Sequence, residues 1–192
     1  IAIALPAVAD PGAAAVSGTL TLGVSTDTGA TPPSTAKFYG LDPYSLFSTQ
    51  MNGTDYLGVI DSGTAVFLFE DASISSCPVG GYADLFCPAS TLSLSATFSE
   101  ESDVVHARGT SGSVDFSIQN FANASNSDFV VPDIGSPCGI YLGGVCYTAT
   151  ATTATQSLPY FIWGLPFYLG RTVYFVYPGA TAGNVQGPAV GF

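Results

Sequence analysis

Apolar and polar residues alternate along this chain in short runs, and no window holds a sustained 3.6-residue apolar period with caps at its ends. "TLSLSATF" (91–98) alternates almost without fault, and "GSVDFSIQN" (112–120) does so again. A period of two marks strands with one face toward a core. "VSGTLTLGVST" (16–26) also alternates, with Val16, Leu20, Leu22 and Val24 on one face. "FSTQMNGTDYLGVID" (47–61) holds Asn52-Gly53 between two strand-like arms, the strongest short hairpin signal. "LPYFIWGLPFYLGRTVYFVY" (158–177) reads as two apolar strands broken by Gly164-Leu165-Pro166 and by Gly170, and "QGPAVGF" (186–192) as a short closing strand. A helical turn is expected near "PYSLFS" (43–48), and the Asn-, Ser- and Thr-rich segment 122–157 reads as long loops with a short edge strand. With 22 Gly and 13 Pro as punctuation, no repeat of fixed period and no linker, the expectation is one all-β domain over 1–192, built of twisted, packed sheets.

Composition narrows the function more than the fold. At 192 residues the chain suits one domain, or one lobe of a two-lobed protein. Charged residues make up 9%, against an ordinary ~25%, so the surface must be built from Ser, Thr, Asn, Gly and backbone. Lys37, Arg108 and Arg171 face 14 acids, for a net charge of −11. That balance argues against nucleic acid and anionic membranes as partners. It also suggests acid tolerance, because acidification discharges carboxylates and leaves little positive self-repulsion.

No segment reaches the ~18 apolar residues of a membrane span. The opening "IAIALPAVAD" lacks a basic leader and reads as the cut end of a processed chain. Cys77, Cys87, Cys138 and Cys146 lack the spacing of zinc or redox motifs. Three pairings are open; Cys77–Cys87 with Cys138–Cys146 is preferred because it closes two short loops rich in Gly and Pro. The even count points to an oxidising compartment, extracellular or periplasmic.

The candidate chemistry lies in "GVIDSGTAVFLFED" (58–71). Asp61-Ser62-Gly63-Thr64 sits between two apolar runs, as at the tip of a buried hairpin. Gly63 opens backbone conformations closed to other residues, and Ser62 and Thr64 place hydroxyls beside a carboxylate. An ordinary Asx turn would look the same. About a hundred residues downstream, Phe161-Ile162-Trp163-Gly164 precedes the strand "RTVYFVY".

Taken together, these stretches resemble the C-terminal lobe of a pepsin-like aspartic peptidase, over most of the chain. The resemblance is closest to a bacterial family of secreted, pepsin-like proteins of uncharacterised function. It is carried by "VIDSGTAVFLFED", "FCPASTLSLSA", "GTSGSVDFSIQN", "WGLPFYLGRTVY" and "GPAVGF", in that order. It implies packed antiparallel sheets with a psi-type active-site loop, in which an apolar-apolar-Gly strand crosses under the Asp turn. By resemblance, Asp61 would be one of two catalytic aspartates and Ser62 would hydrogen-bond across the turn to its counterpart. Thr64 would hold the outer oxygen of the carboxylate. Gly164, preceded by Trp163, would allow the close crossing, and Cys77–Cys87 would staple the loop after the active-site strand.

Peptide hydrolysis of this type needs a second carboxylate. Asp27-Thr28-Gly29 lacks an apolar second arm, two prolines standing there instead, and reads as an exposed turn. The partner would then be a complementary N-terminal lobe on another polypeptide, or a second copy of the chain. His106 is the single histidine, so triad and zinc chemistry lack ligands and bases, and no metal or cofactor is called for. The acidic run "EESD" (100–103) has no calcium-ligand spacing. Two expectations follow. One is a peptidase lobe acting on extended peptides only with its partner. The other is an inactive extracellular subunit, whose apolar ends "IAIALPAV" and "GPAVGF" add to neighbouring sheets and build filaments.

Overall fold

The computed structural model describes residues 1–23, 31–78, 84–100, 109–124, 127–137, 140–142, 145–147, 150–152 and 157–192. Its strands in chain order begin with β1 (Ala2–Ala4), β2 (Thr19–Thr21), β3 (Phe38–Gly40), β4 (Phe47–Met51), β5 (Thr54–Ile60) and β6 (Phe67–Leu68). Then come β7 (Leu92–Ser99), β8 (Ser111–Ile118), β9 (Gly135–Ser136), β10 (Ile140–Leu142), β11 (Val145–Tyr147), β12 (Thr150–Thr152) and β13 (Ser157–Trp163). One helical turn, α1 (Leu165–Tyr168), precedes β14 (Thr172–Val176), β15 (Thr181–Ala182), β16 (Val185–Gln186) and β17 (Ala189–Gly191). The fold is all-β, as the alternation predicts.

The alternating stretches become the longest pair. Ala96 and Phe98 of β7, with Val114, Phe116 and Ile118 of β8, are buried, while Ser93, Ser95, Thr97 and Asp115 face out. Their register runs from Leu92 opposite Ile118 to Ser99 opposite Ser111. The Asn-Gly signal also holds: β4 and β5 pair from Met51–Thr54 outward, and Asn52 (φ 52°) and Gly53 (φ 79°) both take the left-handed turn that Asn-Gly favours.

These strands belong to the larger sheet, ordered β8-β7-β4-β5-β13-β6-β9, with β12 on β13. The second sheet is ordered β2-β1-β14-β17-β3. An aromatic core unites them: Phe47, Phe67, Phe69, Phe98, Phe161, Trp163 and Phe167 are all buried.

Several expectations are corrected. The arms on either side of Asp61 do not form a hairpin. Strand β13 lies between them, parallel to β5 (Phe161 opposite Gly58, Trp163 opposite Ile60) and antiparallel to β6 (Trp163 opposite Phe67). The helical turn expected at 43–48 is a tight turn instead. Buried Asp42 accepts the Tyr44 and Leu46 N–H groups on one carboxylate oxygen, at 2.8 and 2.7 Å, and Ser45 goes left-handed at φ 68°. Helix appears where only a break was expected, at α1, with Pro166 in its first turn, a position that tolerates a missing N–H. The alternating stretch 16–26 yields only β2 among the described residues, and Leu20 and Leu22 stand 63% and 67% exposed. The loop-rich segment 122–157 contributes β9 to β12.

Neither apolar end is free. Ala2–Ala4 sits between β2 and β14, and Ala189–Gly191 between β14 and β3. Both are interior strands of the chain's own sheet.

Candidate functional site

The site is built where β5 ends. Parallel pairing carries on one residue past the strand, so the Asp61 N–H reaches the Trp163 carbonyl at 3.0 Å. The chain then turns sharply, and the Thr64 N–H returns to the Asp61 carbonyl at 3.3 Å. This turn gives the carboxylate two fixed partners. The Gly63 N–H donates to Oδ1 at 2.9 Å, and the Thr64 hydroxyl donates to Oδ2 at 2.7 Å. One bond per oxygen fixes the plane of the group, and bonds to an ionised acceptor are stronger than neutral ones. Asp61 is half-buried, with Ser62 and Gly63 exposed beside it. The carboxylate is therefore held rigidly yet open to a ligand.

The rigidity comes from behind. A Cβ on Gly164 would collide with the carbonyl oxygens of Thr64 and Val66, so only glycine lets the two backbones approach this closely. The Leu165 N–H uses that proximity to donate to the Thr64 carbonyl at 2.7 Å. Next to it Trp163 is fully buried, stacked on Phe161 at 4.2 Å, and its indole N–H donates to the Thr49 hydroxyl at 3.1 Å. Gly58 completes the layer: a side chain there would strike the Thr49 hydroxyl and the Phe47 ring.

Sequence reading placed Asp61, Ser62, Gly63, Thr64, Trp163 and Gly164 at one site, and the structure brings all six together. It missed Tyr168. That side chain is buried in α1, and its phenol lies close to Ser62 and to the Asp61 charge. Burial pushes the phenol's pKa far up, and the Asp61 charge raises it further. A tyrosine in the apolar run after Gly164 was the available signal, because a buried phenol needs a polar partner. Just before the turn, Val59 and Ile60 line an apolar pocket of about 240 Å³ with Leu41, Phe47, Tyr177 and Pro188.

Cys77 and Cys87 form a disulfide. It clips a small ladder in which the Cys77 N–H reaches the Leu85 carbonyl and the Cys87 N–H the Ser75 carbonyl, each at 2.8 Å. For the other expected bridge, Cys138 lies outside the described residues and the side chain of Cys146 is not among those described. Asp27-Thr28-Gly29, His106 and residues 101–103 of the acidic run also lie outside them. Glu100, the first residue of that run, instead accepts the Gly40 and Gly109 N–H groups, both at 2.8 Å. Among the described residues no group of three or more His, Cys, Asp or Glu side chains is placed to hold a metal ion. No helix there is long and apolar enough to cross a membrane.

Over residues 1–192 the chain matches, and belongs to, the family described as "Protein of unknown function (DUF3443)". No curated protein and no solved structure matches it.

Proposed function

We propose that this chain is one lobe of a secreted, pepsin-like aspartic peptidase, supplying one carboxylate of a two-aspartate site and requiring a second lobe to complete it. The observation that carries the reading is the Asp61 turn. Its carboxylate is fixed by the Gly63 N–H and the Thr64 hydroxyl and backed by a strand that crosses at Gly164. The placement of β13 between β5 and β6 supports the psi-type loop that the family resemblance implies. The Cys77–Cys87 bridge is compatible with an oxidising, extracellular or periplasmic setting.

In the completed site, two carboxylates share one proton and hold one water between them. The ionised member takes a proton from the water as its oxygen attacks the scissile carbonyl. The protonated member hydrogen-bonds the carbonyl oxygen, and like charges ~3 Å apart keep the two in different protonation states. Asp61 is one of this pair, and the other belongs to a complementary lobe or to a second copy of the chain. Extended peptides are the substrate, bound by main-chain hydrogen bonds between lobes.

The test is peptide hydrolysis at acid pH by the protein purified from its source with any chain that accompanies it. Activity should be blocked by a statine-type inhibitor and abolished by Asp61→Asn. Hydrolysis surviving that substitution would sink the proposal.

A second reading, an inactive self-assembling extracellular subunit, draws support from a different place. The terminal strands are occupied, but among the described residues β2 is the last strand of its sheet and Leu20 on it is 63% exposed. An edge of this kind can take up a neighbour's strand. Native mass spectrometry separates the two readings: a complex with a different chain favours the lobe, and an open ladder of this chain alone favours the subunit.

A further inference from the structure

Three basic residues stand against 14 acids in this chain, so an arginine spent on main-chain carbonyls calls for a reason. Arg171 is half-buried. Its Nη1 donates to the Phe167 carbonyl at 2.9 Å and its Nη2 to the Asp115 carbonyl at 3.2 Å. The guanidinium carbon also lies over the Phe167 ring, 4.9 Å from its centre, where the aromatic face attracts a cation. A planar fork can hold two carbonyls and a ring at once, and a compact ammonium cannot.

The two carbonyls belong to different parts of the fold. Phe167 is in α1, and the last carbonyls of a helix have no partner within it. Arg171 answers two of them, because its own N–H donates to the Tyr168 carbonyl at 3.0 Å. Asp115 is on β8, the last strand of the larger sheet among the described residues. Arg171 thus caps α1 and fastens it to that strand. At the other end of α1, the Leu165 N–H donates to the Thr64 carbonyl at 2.7 Å. One helical turn of four residues therefore joins this clamp to the residue whose hydroxyl holds Asp61 Oδ2. Phe167 gives that turn little slack. It is fully buried and packs edge-on against Trp163 at 5.5 Å and Phe192 at 5.0 Å.

We propose that Arg171 is a positioning residue for the Asp61 site: by capping α1 and fastening it to β8, it holds Leu165 where its N–H fixes Thr64. The inference rests on reading Asp61 as a reactive carboxylate. It adds that the order of the turn depends on a side chain just past the C-terminal end of α1. Neither a guanidinium nor a main-chain carbonyl titrates between acid and neutral pH, so the clamp holds across that range.

The experiment is amide hydrogen exchange by NMR on the full chain, wild type against Arg171→Lys. Lysine keeps the charge and a long stem but cannot bond both carbonyls as the fork does. The Leu165 and Thr64 amides should exchange roughly fivefold faster, the order expected for losing one hydrogen bond. The Thr49 and Tyr56 amides, opposite each other on β4 and β5, should hold their wild-type rates. Unchanged Leu165 and Thr64 rates in the folded variant overturn the proposal. So does an equal acceleration at all four amides, which would be a loss of overall stability.

A measurement on the wild type serves should Arg171→Lys fail to fold. A guanidinium bonded through both Nη atoms cannot rotate freely, so its Nη–H protons should give separate, slowly exchanging NMR signals. Arg108 is the only other arginine, which makes the assignment direct. One averaged Nη–H signal for Arg171 overturns the proposal equally. Neither readout involves substrate. Absence of hydrolysis therefore counts against the peptidase reading alone, and unchanged exchange or an averaged guanidinium against the Arg171 clamp alone.

Discussion

Alanine at Gly164 is the smallest change that should loosen the site. The glycine lies at φ −78°, a conformation any residue adopts, so the cost is purely steric. The added methyl meets two carbonyl oxygens, those of Thr64 and Val66, and both belong to backbone that cannot swing away as a side chain would. Restoring ordinary contact requires the strands to part by about an ångström. That movement falls on the Leu165–Thr64 bond at 2.7 Å and the Asp61–Trp163 bond at 3.0 Å.

Overpacking of this kind costs ~1–3 kcal/mol, and one weakened backbone hydrogen bond adds about 1 kcal/mol. Alanine also stiffens the unfolded chain, which offsets ~0.4–1 kcal/mol. The steric term wins, and a net loss of roughly 1–3 kcal/mol should lower Tm by about 3–10 °C in a domain of this size. Trp163 is the only tryptophan and is adjacent to the change, so guanidinium unfolding followed by its fluorescence reads stability and local packing together. A wild-type midpoint and an unaltered emission maximum would refute the close crossing of the two backbones.

Removing the acceptor beneath the tryptophan by Thr49→Val leaves the buried indole N–H unpaired and should cost ~1–3 kcal/mol, seen in the same unfolding assay. Replacing both Cys77 and Cys87 by serine opens a loop of sequence separation 10 and should cost roughly 2.5–3 kcal/mol in the chain-entropy account, measured as the loss in denaturant stability. Asp133 has its pKa raised by burial and by the nearby Asp10 charge, so the folded state binds its proton more tightly than the unfolded state does. Its contribution is fully present below the ordinary carboxylate pKa and is lost as pH rises through the raised value. Asp133→Asn should therefore match wild-type stability at low pH and exceed it at neutral pH; a constant difference across the pH range would contradict the assignment.

The sequence showed most clearly what local chemistry decides. Strands β7 and β8 follow their alternation, and the Asn52-Gly53 turn follows from two left-handed residues in a row. Asp61, Ser62, Gly63 and Thr64 were legible as a carboxylate, a glycine and two hydroxyls in one tetrapeptide, whereas Trp163 and Gly164 joined them only through the family resemblance. The misreadings have non-local causes. "VIDSGTAVFLF" carries the pattern of a hairpin, and only residues 157–163, far along the chain, reveal that the two arms are separated. Alternation in 16–26 marks a strand, but Leu20 lies on the last strand of its sheet among the described residues and Leu22 just beyond it, where periodicity says nothing about what covers the face. Tyr168 escaped notice because Ser62, close to it in space, is distant in sequence, and the neighbours Phe167 and Leu169 read as plain core.

The insertion of β13 between β5 and β6 also sets a problem of timing. A hairpin of the two arms around Asp61 needs only neighbouring residues, and hairpins close in about 1–10 μs. The native arrangement needs a strand from roughly a hundred residues away, and such pairings form slowly because the intervening chain must first be ordered. Until residues 157–163 arrive, the apolar run Val66–Phe69 lacks the strand that separates it from β5 in the native sheet. The backing of the Asp61 turn is thus complete only once residues 157–163 have paired with β5 and β6.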